Sequence, residues 1–494
     1  MPNSTKDTFT QLSKRNTSFK SDVLRLASGT GIAQIIGILS MPILSRLYAP
    51  EIFGITALFL SLTTILGVIA CMRYELSIVL PDDDSEAANL LGVSLFFTLI
   101  ITFCTVLIIW LGSTFILEWI NVVELAPYLW LIPIGVLFQG LFTAFNYWNT
   151  RTKHFTRLSI ANISKQIANT TGMLGAGFSG YATGGSMIIA NIGSQVIATI
   201  VLGVQILRDN SKFLLKSINW REMMTSIKRY RKFPIYSSWS ALLNIISWQL
   251  PALMLGVFFS PIIVGYYALG FRIIQMPMLL IGQAISQVFI QRAAKAKNEN
   301  KLTSLVDELI RRLFIIGLFP ALLLSIIGKD FFVIIFGYNW MEAGVYSQIL
   351  SIFGFIWFVS SPLSTLLSVL GLQKNGLIIQ LIILSTRIIA LLLGVFLNNG
   401  RLAIVFFSIS GIFSYSILLF YIFDKTGINS KKIWFYLFSL LSKSAPFLLI
   451  IFIISINDSN STLVVLSSVF ISILYYFFYK ELIFQDFFNR RYET

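Results

Sequence analysis

Three basic residues, Lys165, Arg272 and Arg387, stand near the middle of long apolar stretches of this 494-residue sequence. A cation at such a depth in a bilayer costs at least ~2.5–3.5 kcal/mol, so its presence is by default a functional signal. No Asp or Glu occupies the central part of any of these stretches. A cavity that offers positive charge without negative charge suits an anion. A guanidinium suits phosphate in particular, because its planar fork of N–H donors meets two oxygens at once. Polar side chains accompany the cations at 3.6 residues per turn: Arg272, Gln275, Gln283, Ser286 and Gln287 on one face, Asn162, Lys165, Asn169 and Gly172 on another, and Gln380, Arg387 and Gly394 on a third. Asn244 lies in the run Ser237, Ser240, Asn244, Ser247, and Asn146 in the run Gln139, Thr143, Asn146, Thr150. Such stripes also hold helices together, but several of them in both halves favour a shared wet cavity. The binding candidates are therefore Arg272, Arg387 and Lys165, with Asn162, Asn169, Gln275, Gln283, Asn244 and Asn146 as hydrogen-bonding groups. Arg25 is a weaker candidate, since it sits near the end of its stretch, where long side chains snorkel to the interface.

The elements that must hold these residues are membrane helices. The chain is 56% hydrophobic and only 12% charged, with a mean hydropathy of +0.79. A water-soluble protein carries roughly a quarter charged residues. Spanning the hydrocarbon core as a helix takes about 20 mostly apolar residues, and fourteen such windows run from 23–46 to 462–479. The runs are too long, and too little alternating, for a β-barrel. Assigning alternate loops to opposite sides puts about 29 of the 37 Lys and Arg on the side of the N-terminus, against Arg46, Lys329 and Arg401 on the other. The positive-inside rule then predicts both termini in the cytoplasm and an even number of helices. The net charge of +15 belongs to those loops and faces anionic head groups rather than nucleic acid. The polar first 21 residues are not followed by a short apolar core with a cleavage site, so the first helix reads as a retained anchor. Cys71 and Cys104 both fall in apolar runs and indicate no disulfide framework or metal site. His154 reads as an ordinary surface residue of a basic loop.

One corner is written twice. "APEIFGITAL", Ala49 to Leu58, returns as "SPIIVGYYAL", Ser260 to Leu269. Six helices separate the copies, so both lie on one side in the same orientation, as in a parallel repeat of two six-helix lobes. Pro50 and Pro261 break the helix, and Gly54 and Gly265 admit close approach in the next one. The expected organisation is a cytoplasmic tail over 1–21, a first lobe over 22–207, a basic interlobe loop over 208–233, a second lobe over 234–423, two further helices over 424–480, and a cytoplasmic tail over 481–494. The fold class is thus all-α integral membrane, with about 14 transmembrane helices, two pseudo-symmetric lobes and an extra C-terminal pair.

In "RYELSIVLPDDDSEAANLLG" the three aspartates, Asp82 to Asp84, superficially resemble metal-holding pairs of glycosyltransferases. They precede the third helix, however, where carboxylates favour the helix dipole and where Asp84 or Ser85 caps the first turn. Arg73 and Glu75, at the end of the second helix, are candidates for an ion pair that helps close the cytoplasmic side.

Several stretches carry a family resemblance: "LSRLYAPEIFGITALF", "RYELSIVLPDDDSEAANLLG", "LPALMLGVFFSPIIVGYYALGFRIIQMP" and "FGYNWMEAG". Up to about residue 424 the chain resembles the bacterial polysaccharide flippases of the Wzx type, in the multidrug/oligosaccharidyl-lipid/polysaccharide exporter superfamily. The resemblance implies a non-enzymatic O-antigen or capsule flippase of the bacterial inner membrane. Its cargo would be an undecaprenyl-diphosphate-linked oligosaccharide, moved by alternating access. A cationic cavity would take the diphosphate and glycan while the lipid tail stays in the bilayer. Members commonly have twelve helices, whereas the related lipid II flippases have fourteen. No cofactor is implied and the coupling ion, H+ or Na+, is left open. Besides the bilayer and the cargo, a polysaccharide polymerase and chain-length machinery are candidate partners. Two rivals remain at this point. A multidrug or toxin cation exporter of the same superfamily would want a carboxylate in the cavity. A membrane glycosyltransferase or polymerase would want a large extramembrane catalytic loop and a nucleophile–base–acid constellation.

Overall fold

The computed structural model describes residues 19–120, 122–458 and 460–479, the side chains of 19–28, 119, 120, 283, 284 and 287 excepted. All regular structure among them is helical. The first half contains α1 (Phe19–Leu47), α2 (Pro50–Gly67), α3 (Asp84–Ile120), α4 (Ile132–Arg151), α5 (Phe155–Phe178) and α6 (Gly184–Ser217). A short helix, α7 (Trp220–Arg229), lies in the basic interlobe stretch. The second half contains α8 (Ser238–Phe258), α9 (Pro261–Pro277), α10 (Gln283–Asn298), α11 (Leu302–Phe336), α12 (Met341–Leu363), α13 (Gln373–Phe396) and α14 (Gly400–Thr426). The last pair is α15 (Ser430–Asn457) and α16 (Ser461–Phe478).

Thirteen helical stretches among the described residues are long and apolar enough to cross a membrane. The remaining expected span, α5, forms a helix of 24 residues but is too polar for that set. It contains Asn162, Lys165, Gln166 and Asn169, and packs between α1 and α6. A polar helix is tolerated at membrane depth when its polar face meets protein or a cavity. Small residues seat it closely: a Cβ on Gly29 would overlap Ser159, and one on Gly37 would press on the Gln166 amide.

Helix boundaries obey local chemistry. Pro50 and Pro261 occupy first-turn positions of α2 and α9, where the missing N–H costs nothing. Thr183 and Ser186 cap α6 reciprocally, and the Asn429 side chain accepts from the first N–H groups of α15. Asp83, rather than Asp84 or Ser85, caps α3: its carboxylate accepts from the Ser85 and Glu86 N–H groups at 3.2 Å each. Asp84 is instead held by Arg151, 2.8 Å away.

The repeated corners meet each other. A Cβ added at Gly54 would overlap the Pro261 carbonyl, and one added at Gly265 would overlap the Pro50 carbonyl. The contact is reciprocal, as a local two-fold relation between α2 and α9 requires. Beside it Trp340, fully buried, donates its indole N–H to the Ser45 carbonyl at 2.7 Å and stands edge-on to Phe53 at 4.8 Å. Two stretches that carry the resemblance thereby join at one end of the bundle. The apolar core continues along α2, α9, α12 and α14, with Leu58, Phe59, Phe353 and Phe407 at its centre. The extra pair α15 and α16 packs on the outside of α11 through Ile327, Ile451, Val464 and Ile471, and Phe319 stacks on Tyr475.

The motif around Glu75 builds a second joint, at the end that carries the basic loops. Asn89 on α3 is fully buried and donates to the Ser217 carbonyl at 2.9 Å and to Glu222 at 2.8 Å. Its own carbonyl oxygen accepts from the Asn219 N–H at 2.9 Å. Tyr74 donates its hydroxyl to the Ile227 carbonyl at 3.1 Å, and Arg229 pairs with Glu86 at 2.8 Å. These bonds fasten α7 to the first half.

Candidate functional site

A cavity of about 300 Å³ opens between helices of the two halves. From α1 come Thr30, Ala33, Gln34, Gly37 and Ile38, from α5 Asn162, Lys165 and Gln166, and from α9 Arg272 and Met276. Leu279, in the π-helical turn at the end of α9, completes the wall. Two of the lining residues are basic and none is acidic. Among the described residues no ion pair reaches Lys165 or Arg272. The Lys165 ammonium lies 5.6 Å from the centroid of the Phe142 ring, a contact that stabilises a cation without neutralising it. Arg272 is exposed and reaches the cavity. The polar groups of Thr30, Gln34, Asn162 and Gln166 supply neutral donors and acceptors around the two charges.

Three of the residues singled out from the sequence, Lys165, Arg272 and Asn162, therefore come together. Thr30 and Gln34 were not among them, although they stand four residues apart on one face of α1. Gln166 was also missed; it lies next to Lys165 and donates to Thr170 at 3.0 Å.

The other candidates lie elsewhere. Asn169 stands further along α5, off the cavity wall, with its side-chain oxygen buried and unpartnered. Gln275 and Asn146 are half-buried and Asn244 is exposed, and none of them lines the cavity. Gln283 and Arg25 lie outside the residues whose side chains are described. The single stripe expected from Arg272 to Gln287 is interrupted by the π-helical turn Met278–Gly282. Such a turn adds a residue to the helix and rotates the downstream faces by roughly 100°.

Arg387 corrects the reading most. It is 1% exposed inside the second half and is absent from the cavity wall. One terminal nitrogen donates to the Ser247 carbonyl and to the Ser247 hydroxyl, both at 2.9 Å, and the other donates to the Tyr415 hydroxyl at 3.3 Å. Its guanidinium lies 4.6 Å from the Trp248 ring centroid and 5.6 Å from that of Phe407. The reason is found four residues along α8. Pro251 lacks the N–H that would bond the Ser247 carbonyl, and Arg387 supplies the missing donor. An intramembrane arginine here repairs a proline break. Replacing Arg387 by methionine is expected to destabilise the solubilised protein by about 1–3 kcal/mol, the cost of an orphaned buried acceptor. A thermal melt alongside a cargo-binding isotherm checks this: unchanged stability with weakened binding would return Arg387 to the cargo path.

Arg73 and Glu75 form the expected ion pair at 3.3 Å. Both flank Tyr74 in the turn that holds α7.

The helical arrangement is that of a class of membrane transporters. Against an inward-closed structure of the lipid II flippase MurJ the chain gives a TM-score of 0.73 at 14% identity, covering 93% of this chain and 99% of that one. Against an inward-facing MATE multidrug resistance transporter of the MOP superfamily the TM-score is 0.60 at 15% identity, over 85% and 97% of the two chains. A family model described as polysaccharide biosynthesis protein matches residues 43–345, and the chain belongs to that family. The teichuronic acid biosynthesis protein TuaB of Bacillus subtilis (strain 168) is 24% identical over 245 residues, 48% of this chain and 46% of that protein. The match thus spans about half the length of that curated relative. The resemblance seen in the motifs is borne out, as is the all-helical membrane fold.

Proposed function

We propose that the chain is a non-enzymatic flippase for an anionic lipid-linked glycan. Its cargo would be an undecaprenyl-diphosphate-linked oligosaccharide, the repeat unit of an O-antigen, capsule or related polymer, moved across the bacterial inner membrane by alternating access. One observation carries the reading: a cavity between the halves has two cations and no carboxylate in its wall, and neither cation is ion-paired among the described residues. Arg272 and Lys165 would hold the diphosphate, with Thr30, Gln34, Asn162 and Gln166 around the phosphates and first sugar. A cavity of about 300 Å³ is at the small end for ligand sites, which suits a head group whose lipid tail stays in the bilayer. Helices over 22–207 and 234–423 would move as two lobes, with the basic end toward the cytoplasm. Membership of a polysaccharide biosynthesis family and the fold shared with a lipid II flippase support the same cargo class.

Proteoliposomes carrying labelled undecaprenyl-diphosphate glycan in the inner leaflet test it. The glycan is expected to reach an impermeant oxidant or lectin outside only when the protein is present. Efflux of a cationic dye with no movement of the lipid-linked glycan would instead support the cation-exporter reading, against which the all-basic charge of the cavity stands.

A further inference from the structure

The turn Tyr74–Ser77 holds a carboxylate in an unusual setting. Glu75 is 2% exposed and its Oε2 atom is buried with no hydrogen-bond partner. Its other oxygen meets Arg73, whose own Nε is also buried and unpartnered. Met72 and Arg73, neither of them glycine, take positive φ values of 50° and 61° to bring the guanidinium there. Strain of this kind persists only where the surroundings enforce it, and it collects at switch regions. An ion pair whose carboxylate is buried and half-satisfied is poorly stabilised, because desolvation of that charge is incompletely offset. The titratable groups that face Glu75 are Arg73 and Cys71 on its own segment and Tyr147 on α4. Cys71 places its thiol against the Thr98 hydroxyl and the Gly140 carbonyl, each at 3.3 Å, and so seals the turn beneath α3 and α4.

We propose that Glu75 is a proton-binding site that controls the joint between this turn and α7. The closed joint is completed when the carboxyl takes up a proton, and the 3.3 Å contact with Arg73 then joins the guanidinium to a neutral acid. Loss of the proton leaves a charge that Arg73 alone cannot satisfy, and the turn opens to let water reach it. Tyr74, next in sequence and bonded to the Ile227 carbonyl, transmits the opening to α7. Burial pushes the Glu75 carboxyl up from the ordinary carboxylate value, and the opposing pull of Arg73 is the smaller effect. The closed joint therefore binds the proton more tightly than the open one. Its stability is full below the ordinary carboxylate pKa and is lost as pH rises through the elevated one. The same burial, followed by the charge of Glu75, pushes the Cys71 thiol up to about 12, so Cys71 stays protonated and does not titrate in that window.

Amide hydrogen exchange of the full chain in nanodiscs, compared between wild type and Glu75→Gln from roughly pH 5 to 8, reads this without any cargo. The variant-to-wild-type ratio at each pH cancels the chemistry of exchange itself. Over residues 74–80 and α7 the ratio is expected near one at the acid end and to fall at least about threefold as pH rises, since glutamine stays neutral. A ratio that is flat with pH, whatever its value, overturns the proposal. Should Glu75→Gln not fold, Glu75→Asp serves instead. Its shorter carboxyl is expected to move the midpoint, so that the ratio departs from one only between the two midpoints; a flat ratio again overturns it.

Discussion

Arg272→Ala is expected to lower glycan flux in proteoliposomes ten- to a hundredfold at unchanged protein content. Hydrogen bonds to a charged group contribute about 1.5–3 kcal/mol, and each 1.4 kcal/mol is a factor of ten. Arg272 reaches the cavity, and no carboxylate competes for it among the described residues, so its loss is felt by the cargo rather than by the fold. Arg272→Lys keeps the charge and loses the bidentate fork, and is expected to recover part of the flux. Lys165→Ala should cost a comparable factor. If both cations hold one diphosphate, the double variant falls short of the product of the two single effects, because the second removal acts on a cargo already loosely held. The assay needs Arg387→Met beside it. That residue is equally basic and equally central in its span, but it is fastened to Ser247 and Tyr415, so its replacement is expected to shift melting and leave cargo affinity alone. Unchanged flux in Arg272→Ala would remove the cationic cavity from the transport path.

The contrast between Arg272 and Arg387 also marks how far the sequence could be read. Hydropathy locates the spans because lipid demands satisfied backbone over about 20 residues. The window at 156–178 does form a helix, α5, but one too polar to stand among the thirteen. Periodicity assigns a residue to a face, but it does not say which neighbour the face meets. Lys165 and Asn162 face α1 and a cavity, whereas Arg387 faces a carbonyl freed by Pro251 on another helix. The pairing of Pro251 with Ser247, four residues apart, was a signal for that acceptor; its partner lay 140 residues away. The stripe expected from Arg272 to Gln287 fails for a local reason, since a π-helical turn cannot be read from apolar spacing. Thr30 and Gln34 stand at i, i+4 on one face of α1, a spacing legible in the sequence. The most specific motifs turned out to be joints. "RYELSIVLPDDDSEAANLLG" fastens α7 to α3 through Asn89 and Glu222, and "FGYNWMEAG" fastens Trp340 to Ser45. Distinctive sequence here reports where helices are tied together, while the cavity itself is written in single scattered residues.

Gly54→Ala and Gly265→Ala are each expected to destabilise the protein by about 3 kcal/mol or more, above the usual 1–3 kcal/mol of an overpacked site. The added methyl meets a backbone carbonyl, of Pro261 in one case and of Pro50 in the other, and a carbonyl fixed in the first turn of a helix has no rotamer by which to escape. The helices must separate, because neither carbonyl can turn away from the added methyl. The reciprocity makes a sharper forecast. One displacement of α2 from α9 relieves both overlaps, so once it has been made for Gly54→Ala the second methyl costs little. The double variant should therefore be less destabilised than the sum of the singles by roughly 1–3 kcal/mol, a coupling typical of groups sharing one backbone shift. Chemical denaturation or thermal melting of the four proteins in detergent measures it. Strict additivity would mean that the two corners yield independently, and that the repeated Pro and Gly of the sequence do not form one shared contact in the folded protein.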